Sequence, residues 1–442
     1  MTTTAQTPAT TPAQPPTSPR RRAGLFVGLA TLDLVQRVDA LPGPDDKATA
    51  TWQELAAGGP ALNAAVVFAA LGGDATLVTR VGAGPLGRLV ADDLRRQNVR
   101  LIDLADAGYT PAVSAIAVDA GTGARQIIST DAGASTPPAP DDPRLNNLAH
   151  ETVDIVLIDG HHPDLAHAVL DAVTEARALG PTDTLGVTGA PTETDPLTET
   201  DTHDETDTLT EADAHGETDT LTEAGTHSET SATGETDTRI EADTHGKTDT
   251  LTEADADGEA SAPADTDTHR HGLDQPPGPF RRPTRPPVVL DAGRWKPPMA
   301  RLLPRCTDII CSAAFRLETP ATTADDPDAL LDALLATGAR FAAISNGAEP
   351  IRWRHAHGTG QLEVPPTQVV DTLAAGDALH GAYAWGLATR LADSPIDPAD
   401  PIDQRPQALS TAATIATRST THRGTRSWLA DLRETHRPGD SP

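Results

Sequence analysis

The chain has 442 residues, of which 37% are hydrophobic and only 3% aromatic, and its formal net charge at pH 7 is −30. It contains no basic stripe with interleaved aromatic residues, so no nucleic-acid partner is expected. It also contains no run of about eighteen apolar residues, so no membrane span is expected. The N-terminal stretch lacks the apolar core of a secretory signal, and a cytoplasmic location is therefore expected.

Most of the acidity lies in one segment. Between Pro181 and Arg270 there are 25 acidic and 3 basic residues, which account for −22 of the net charge of −30. The segment is built from twelve-residue repeats that each offer one Leu or Ile to bury, too little to offset the entropy of ordering the chain. We predict a disordered acidic insertion over 181–286 and disordered tails over 1–22 and 433–442. The globular remainder then comprises an N-terminal part, 23–180, and a C-terminal part, 287–432.

The N-terminal part predicts alternating strands and helices. A strand over 24–32 ends at Asp33, and the diglycine Gly58-Gly59 precedes an apolar helix that has Asn63 near its start and stops at Gly72. Further patterns predict strands over 47–53, 75–81, 111–119 and 153–159, a hairpin strand over 124–130, and helices over 88–97 and 163–179. Asp159 stands at the end of one of these strands.

The C-terminal part continues the alternation. Its patterns predict strands over 287–291, 308–312 and 341–345, and helices over 326–337 and 408–418. Such alternation favours an α/β fold with a doubly wound, mainly parallel sheet and helices on both faces. The strands over 47–53 and 111–119 alternate between polar and apolar residues, and a turn over 120–123 joins the second of them to the hairpin strand over 124–130.

The segment from Val370 to Ala384 indicates chemistry. A short apolar strand end runs into small residues, then into Asp377, and then into an apolar helix. Small residues permit a sharp turn and close approach to a ligand, and the N–H groups at a helix start favour a phosphate or a developing negative charge. An aspartate at the edge of that site can accept a proton from an attacking hydroxyl. The pattern therefore predicts phosphoryl transfer.

Two segments resemble the signatures of the ribokinase-like (PfkB-type) carbohydrate kinase family. Asp371-Thr372-Leu373-Ala374-Ala375-Gly376-Asp377 is similar to its Asp-Thr-x-Gly-Ala-Gly-Asp signature, and Gly58-Gly59-Pro60-Ala61-Leu62-Asn63 is similar to its Gly-Gly-x-x-x-Asn signature. The opening strand, Val27 to Asp33, is closest to ketohexokinase-like members. The resemblance implies a ribokinase-like fold with a small β-sheet lid over the sugar site, and a candidate homodimer contact through that lid.

The resemblance also implies roles for individual residues. Asp377 is the expected catalytic base, and the backbone amides of Ala374, Ala375 and Gly376 form the expected anion hole. The expected sugar-binding residues are Asp33, Gly58, Gly59, Asn63 and Asp159. The expected nucleotide contacts are Asp371, Thr372, Ser345 and Gly347. The implied cofactors are ATP and Mg²⁺, with a monovalent cation such as K⁺ as a further candidate, and the implied partners are ATP and a small sugar.

Two departures from the family pattern keep alternatives open. Ala374 stands where glycine is usual; alanine fits there if its φ is negative, and otherwise crowds the anion site. Ser312-Ala313-Ala314-Phe315 stands where many members have Asn-x-x-Glu, which leaves the metal ligands unassigned. We expect an ATP-dependent kinase of a free sugar or polyol. The alternatives are a nucleoside kinase, which the scarcity of aromatic residues disfavours, and a sugar-binding pseudokinase or regulator.

Overall fold

The architecture is seen in a computed structural model that describes residues 20–130, 137–139, 142–178, 285–317, 326–393 and 404–436. All of these residues belong to one structural unit. The predicted disordered insertion and tails fall almost entirely outside the described residues. At the N-terminal boundary, Arg20 forms an ion pair with Asp154, and Arg21 donates to the Gly72 carbonyl.

Thirteen strands and eight α-helices are found in the described residues. The strands are β1 (Ala23–Val27), β2 (Thr31–Val38), β3 (Trp52–Gly58), β4 (Asp74–Thr79), β5 (Val99–Asp103), β6 (Ala112–Asp119), β7 (Arg125–Ser129), β8 (Ile155–Ile158), β9 (Val288–Ala292), β10 (Asp308–Ser312), β11 (Phe341–Asn346), β12 (Glu349–His355) and β13 (Gly358–Leu362). The helices are α1 (Pro60–Ala70), α2 (Pro85–Arg96), α3 (Pro143–Ala149), α4 (Pro163–Ala178), α5 (Pro327–Ala336), α6 (Ala375–Asp393), α7 (Gln404–Ser419) and α8 (Leu429–Thr435). None of these helices has the length and apolar character needed to cross a membrane.

The main sheet has nine strands in the order β13-β12-β11-β10-β9-β8-β1-β4-β5. From β5 at one edge of the sheet across to β11, every strand pairs in parallel with its neighbour. At the other edge, β12 pairs antiparallel with β11, and β13 pairs antiparallel with β12. The central strands β8 and β9 are buried along their whole length, as expected for a sheet covered on both faces. The predicted doubly wound, mainly parallel α/β fold is confirmed.

The second sheet contains four strands in the order β3-β2-β6-β7 and forms the predicted small lid sheet. The prediction of one continuous strand over 24–32 is wrong, because the chain leaves the main sheet after Val27 and starts β2 at Thr31. Gly28 marks the break: a Cβ there would lie 2.1 Å from Asp159 Oδ1. The strand predicted over 47–53 is displaced as well, since β3 begins only at Trp52.

Helices α1 and α6 pack directly against each other and carry the two family signatures. A glycine, Gly381, faces the backbone of Ala64 at their crossing, which allows the helix axes to approach closely. Because Asn63 neighbours Ala64, and Asp377 lies one turn before Gly381, this crossing brings Asn63 and Asp377 together.

Helix α6 is also anchored to the sheet through a buried carboxylate. Asp308 in β10 is fully buried and accepts a hydrogen bond from the Tyr383 hydroxyl at 2.8 Å and another from Arg405 Nε at 2.5 Å. Tyr383 lies on α6 and Arg405 on α7, so a single carboxylate holds both helices against the sheet. Removing one member of such a group leaves an uncompensated buried charge or polar group, which is strongly destabilising.

Candidate active site

The two signatures meet at a hydrogen bond between side chains. Asn63 Nδ2 donates to Asp377 Oδ2 at 2.8 Å. Asn63 lies in the first turn of α1 and is buried, whereas Asp377 lies in the first turn of α6 and is half-buried. The predicted base and one predicted sugar-binding residue are therefore in direct contact, and the sharing of one oxygen leaves Asp377 Oδ1 available for another partner.

The environment of Asp377 raises the pKa of its carboxyl group. Burial, together with the nearby negative charge of Asp291, raises the pKa of Asp377 to about 6, although the hydrogen bond from Asn63 acts in the opposite direction. A carboxyl group with a pKa near 6 is still mostly ionised at neutral pH, and it is a stronger base than an ordinary aspartate. This combination suits proton abstraction from a hydroxyl.

His380 lies one turn after Asp377 and is surrounded by oxygen atoms. Its Nδ1 is 2.7 Å from the Gly376 carbonyl oxygen and 3.1 Å from Asp291 Oδ2, and its Nε2 is 3.1 Å from the Ile310 carbonyl oxygen. Burial by itself would lower the pKa of His380, but the Asp291 carboxylate and these hydrogen bonds raise it to about 9. An imidazolium, with both nitrogens donating, satisfies this arrangement.

The signature loop before α6 is held by Asp371. Its Oδ1 accepts from the Leu373 N–H at 2.9 Å, and its Oδ2 accepts from the Gly424 N–H at 3.0 Å. Both carboxylate oxygens of this predicted nucleotide contact are thus bonded to backbone. Thr372 is exposed, and its hydroxyl lies 3.4 Å from Arg125 Nη1.

Ala374 adopts a φ of 59°, in the left-handed region that favours glycine. The sequence-based condition for tolerating alanine, a negative φ, is therefore not met. The carbonyl of Ala374 accepts the first helical hydrogen bond, from the Ala378 N–H at 2.9 Å. The residue makes the turn that starts α6, at the cost of backbone strain.

The predicted anion hole is partly occupied by internal hydrogen bonds. The Ala375 N–H donates to the Thr372 carbonyl at 3.3 Å, a long bond that closes the turn. The N–H groups of Gly376 and Asp377 belong to the first helical turn, where no carbonyl of the same helix is available. Gly376 is exposed, and no heavy atom lies within 4 Å of the position of a Cβ on it, so a ligand can reach this backbone.

Asp33 lies in β2 and faces the diglycine that precedes α1. Its Oδ1 accepts from the Thr31 hydroxyl at 2.6 Å. Burial raises the pKa of Asp33, and hydrogen bonds from Thr31 and Ser114 counteract this. A Cβ on Gly58 would lie 1.9 Å from Asp33 Oδ2, so only glycine fits beside this carboxylate. Gly59 has a φ of 101°, and a Cβ on it would lie 2.3 Å from the Leu29 carbonyl oxygen.

Asp159 follows β8 and joins several loops. Its Oδ2 accepts from the N–H groups of Leu29 at 2.8 Å and Ala61 at 3.1 Å, and its Oδ1 accepts from the N–H of His161 at 2.9 Å. Because three backbone N–H groups donate to this buried carboxylate, the contacts support a structural role for Asp159 in holding these loops together. Direct sugar contact by Asp159 stays a prediction.

Arg426 was not singled out from the sequence, yet it contacts Asn63 and the end of β3. Its Nη1 donates to Asn63 Oδ1 at 3.0 Å, its Nη2 donates to the Ala57 carbonyl at 2.5 Å, and its Nε lies 3.4 Å from Asp93 Oδ2. Because the Asn63 oxygen faces Arg426, its amide nitrogen must face Asp377. No local pattern indicates this role, since Arg426 lies in the loop before α8.

A cleft with a volume of about 820 Å³ opens at the N-terminus of α6. Predicted nucleotide contacts Ser345, Gly347 and Thr372 line it, as does the exposed Gly376. Arg125, from the lid, contributes a positive charge. The apolar part of the wall comes from Ile351, Val364, Leu379, Ala413 and Ala416. A flat apolar group with attached anionic groups fits such a lining.

No cluster of three or more His, Cys, Asp or Glu side chains with metal-binding geometry occurs among the described residues. Asp291 Oδ2 is buried and lies 3.1 Å from Nδ1 of His380, with which it forms an ion pair when His380 is protonated. Ser312, which stands where Asn-x-x-Glu begins in many family members, donates to the Gly293 carbonyl at 2.7 Å. Asp291 is thus a buried carboxylate that faces both Asp377 and His380.

Comparison with protein families decides the classification. The model described as "pfkB family carbohydrate kinase" matches residues 24–205 and 283–429. The chain belongs to the pfkB family. Carbohydrate kinases are phosphotransferases with an alcohol group as acceptor. The family and the enzyme class predicted from the two signatures are therefore confirmed.

Solved structures agree with pfkB membership at the level of the fold. The chain is similar to ribokinase from Giardia lamblia, with a TM-score of 0.60 and 13% identity over 94% of this chain and 100% of that one. It is also similar to Arabidopsis thaliana ribokinase complexed with ribose and ATP, with a TM-score of 0.52 and 15% identity over 94% of this chain and 99% of that one. Identities this low show the fold alone.

One curated relative matches part of the chain. An ATP-dependent ribose-1-phosphate kinase from Halopiger xanaduensis is 33% identical over 156 residues, which are 34% of this chain and 50% of that protein. The chain therefore spans about half the length of this curated relative.

Proposed function

We propose that the protein is an ATP-dependent sugar kinase, which transfers the γ-phosphoryl group of ATP to a hydroxyl of a sugar or related polyol. The observation that carries this proposal is the Asn63–Asp377 hydrogen bond at the start of α6. It joins Asp377, the proposed base, to the predicted sugar-binding residue Asn63, and the preceding residue, Gly376, lines the cleft that also contains Ser345 and Gly347. Membership of the pfkB family supports the same reaction.

In the proposed reaction, Asp377 accepts the proton of the acceptor hydroxyl while that oxygen attacks the γ-phosphorus. The bond from the γ-phosphorus to the bridging oxygen breaks, and ADP leaves with the electron pair. The N–H groups of Gly376 and Asp377 donate to the phosphoryl oxygens as charge develops there. Positioning and electrostatics supply most of the rate enhancement in phosphoryl transfer, so no covalent intermediate is needed.

Magnesium, which the family implies, fits the residues present. Mg²⁺ keeps several water ligands and binds through one or two carboxylates together with substrate phosphates. Asp291 would hold it beside Asp377, through a carboxylate whose Oδ2 also lies 3.1 Å from His380 Nδ1. When bound, Mg²⁺ supplies positive charge that offsets the negative charge of the phosphates. The use of K⁺ stays a prediction.

The proposed acceptor is a sugar or a sugar derivative. Asp33 and Asn63 are suited to bind hydroxyl groups, because they combine carboxylate and amide atoms at buried positions. The name of the Halopiger relative supports a phosphorylated sugar as a candidate acceptor. A nucleoside is a weaker candidate, because only 3% of the residues are aromatic and, among the described residues, no aromatic side chain lines the nucleotide-sized cleft.

A second candidate function, a sugar-binding regulator without turnover, is favoured by one observation. Ala374 starts the anion site with a φ of 59°, which places a methyl group where the family usually has none. Release of ADP by the purified chain over a panel of sugars distinguishes the two functions. Magnesium-dependent ADP release with at least one sugar is expected. Sugar binding without ADP release above the rate with water would favour the regulator.

We also propose that the lid forms a homodimer contact. Leu55, Leu34, Ala115 and Ile128 are paired in register across all four strands of the lid sheet and therefore form one transverse row on one face. Leu55 is 54% exposed and Ile128 is 77% exposed. An exposed apolar row of this kind suits burial against a second copy. Light scattering of the chain and of Ile128→Lys should give a dimer and a monomer, respectively. A cytoplasmic location stays a prediction.

A further inference from the structure

A cavity with a volume of about 490 Å³ lies at the edge of the main sheet opposite the candidate active site. The parallel strands β8 to β11 begin at this edge, and the lining includes Val156 near the start of β8, Val288 at the start of β9 and Arg340 directly before β11. Asp159 and Ser345 lie at the other ends of these strands. A strand rises about 3.3 Å per residue, so the five residues of β9 separate the two edges by roughly 16 Å.

The lining of this cavity is basic. Among the described residues it contains four arginines and no acidic residue, in a chain whose formal net charge is −30. A recess lined by charges of one sign concentrates ions of the opposite sign. The cavity is therefore a favourable place for an anion. Its arginines are Arg285, Arg305, Arg340 and Arg405.

Two of these arginines are already paired with carboxylates. Arg405 Nε donates to Asp308 Oδ1 at 2.5 Å, and Arg305 Nη1 donates to Asp171 Oδ1 at 2.8 Å. Both arginines form part of the wall, but carboxylates outside the cavity lining balance their charges.

Arg285 and Arg340 supply the charge that remains for a ligand. Their side chains are exposed and form no hydrogen bond or ion pair with any residue that the structure describes. Arg285 lies three residues before β9 and Arg340 directly before β11, so the two flank the start of β10. Strands two places apart in a sheet are separated by roughly 10 Å, a distance that two arginine side chains can bridge through one phosphate. A phosphate monoester carries a charge of about −1.5 to −2 at neutral pH, which matches the two arginines.

Backbone hydrogen bonds fix the walls of the cavity. The Arg340 N–H donates to the Thr307 carbonyl at 2.8 Å, and the Thr307 N–H donates to the Val288 carbonyl at 2.8 Å. The Val156 N–H donates to the Pro287 carbonyl at 2.9 Å. The shape of the cavity is therefore set by the sheet and does not depend on a ligand.

Much of the remaining wall is apolar. An organic group can pack on such a surface, so a ligand that fits the whole cavity combines a phosphate with an organic part. The apolar side chains come from α4, the end of α6 and the strand starts, and they are Val156, Leu170, Val173, Pro286, Pro287 and Leu391.

We propose that this cavity binds a phosphorylated small molecule that is not a substrate of the kinase reaction. Arg285 and Arg340 bind the phosphate oxygens, and the apolar wall packs against the organic part. The site is independent of the proposed function, since none of the residues that line it also lines the nucleotide-sized cleft. A ligand there lies against Arg405, the partner of the carboxylate that anchors α6 to the sheet.

Titration calorimetry of the full chain with phenyl phosphate tests the site, in the presence of Mg²⁺ and a saturating non-hydrolysable ATP analogue. The parent chain should bind one equivalent, and Arg285→Gln and Arg340→Gln should each raise the Kd about tenfold or more, as expected for loss of a charge-assisted hydrogen bond. Both side chains are exposed and unpaired, so the melting temperature without ligand should not change. Arg95→Gln, which removes the same charge from an exposed position on α2, is the matched control and should leave the Kd unchanged.

Two further probes test the class of ligand. Inorganic phosphate should bind more weakly than phenyl phosphate, because it leaves the apolar wall uncovered, and benzyl alcohol should not bind. The inference is overturned if the parent chain does not bind phenyl phosphate, or if the ATP analogue displaces it. It is also overturned if the double variant Arg285→Gln/Arg340→Gln binds as tightly as the parent chain, if Arg95→Gln weakens binding equally, or if inorganic phosphate binds at least as tightly as phenyl phosphate.

Discussion

Ala64 in α1 and Gly381 in α6 approach so closely that a Cβ on Gly381 would lie 2.4 Å from the Ala64 carbonyl oxygen. Asn63 and Asp377 owe their contact to this helix crossing, although they are 314 positions apart in the chain. The active-site geometry thus depends on a glycine that contacts no ligand.

Gly381→Ala should therefore separate α1 from α6. We expect it to lower the free energy of unfolding by about 1–3 kcal/mol, as overpacking against backbone does, and to reduce turnover. Gly386→Ala on the same helix is the matched control, because its Cβ would meet Ala408 atoms only at 3.6 Å or more. The control should be neutral or should stabilise by about 0.5–1 kcal/mol, since alanine is the better helix former. Equal melting temperatures for both variants would show that the crossing is not tight.

Ala374→Gly should relieve the strain at the start of α6. A left-handed conformation costs a non-glycine residue about 1–2 kcal/mol, and part of that gain is offset by the greater freedom of glycine in the unfolded chain. We expect the free energy of unfolding to rise by up to about 1 kcal/mol and turnover to rise with it. Ala375→Gly, one position later and within the helix, should do the opposite. A fall in stability for Ala374→Gly would contradict the positive φ.

The pH dependence of turnover should report Asp377. Its pKa is raised to about 6, so kcat/KM should fall as the pH drops below about 6, when the base becomes protonated. The sign for stability is the reverse: a raised carboxyl pKa stabilises the fold fully below the unfolded value of 3.8 and loses that contribution as the pH rises through 6. Asp377→Asn should flatten both profiles in this range. An acidic limb that persists in the variant would assign the titration to another group.

His380 should produce a second pH effect, at alkaline pH. Its folded pKa of about 9 lies above its ordinary value of 6.5, so its contribution to stability is complete below about 6.5 and is lost as the pH rises through 9. His380→Gln should remove this loss of stability between pH 7 and 9, measured by thermal unfolding. His422→Gln, at a half-buried histidine near the end of α7, is the control. The same alkaline loss in His380→Gln would show that His380 does not carry the proton.

The sugar pocket can be tested with two alanine variants and one structural control. Asp33→Ala and Asn63→Ala should each raise the sugar KM about tenfold or more, because an unsatisfied buried polar partner costs about 1–3 kcal/mol. The KM for ATP should change little. Asp159→Asn should instead lower the melting temperature, since its carboxylate holds three backbone N–H groups. If Asp33→Ala and Asn63→Ala weaken ATP binding and spare the sugar, the two pockets have been assigned the wrong way round.

Local patterns were sufficient for the main features of this site. The small residues before Asp377 and the diglycine before Asn63 indicated two ligand-facing turns, and the alternation of strands and helices indicated the parallel sheet that brings them together. The run from Gly24 to Leu32, however, is apolar except for Thr31, so no polar break marks the point after Val27 where the chain leaves the main sheet for the lid. That passage depends on Gly28 and the distant Asp159.

Long-range contacts were the part that sequence patterns could not supply. Arg426 orients the Asn63 amide from a loop 363 positions away, and no periodicity or motif singles it out. The partner of His380, Asp291, comes from a different strand and is defined only by how α6 lies on the sheet. The left-handed φ of Ala374 likewise follows from the folded turn, since the identity of the residue suggests the opposite.

The central claim is that Asp377 is the base of a phosphoryl transfer, and single-turnover measurement of Asp377→Asn tests it most directly. The substitution removes the base but keeps the size of the side chain and the amides of the α6 N-terminus. The account predicts that the phosphoryl-transfer rate falls by a factor of about 10² or more, while ATP affinity and melting temperature stay near those of the parent chain. An unchanged transfer rate would remove Asp377 from the mechanism and contradict the account.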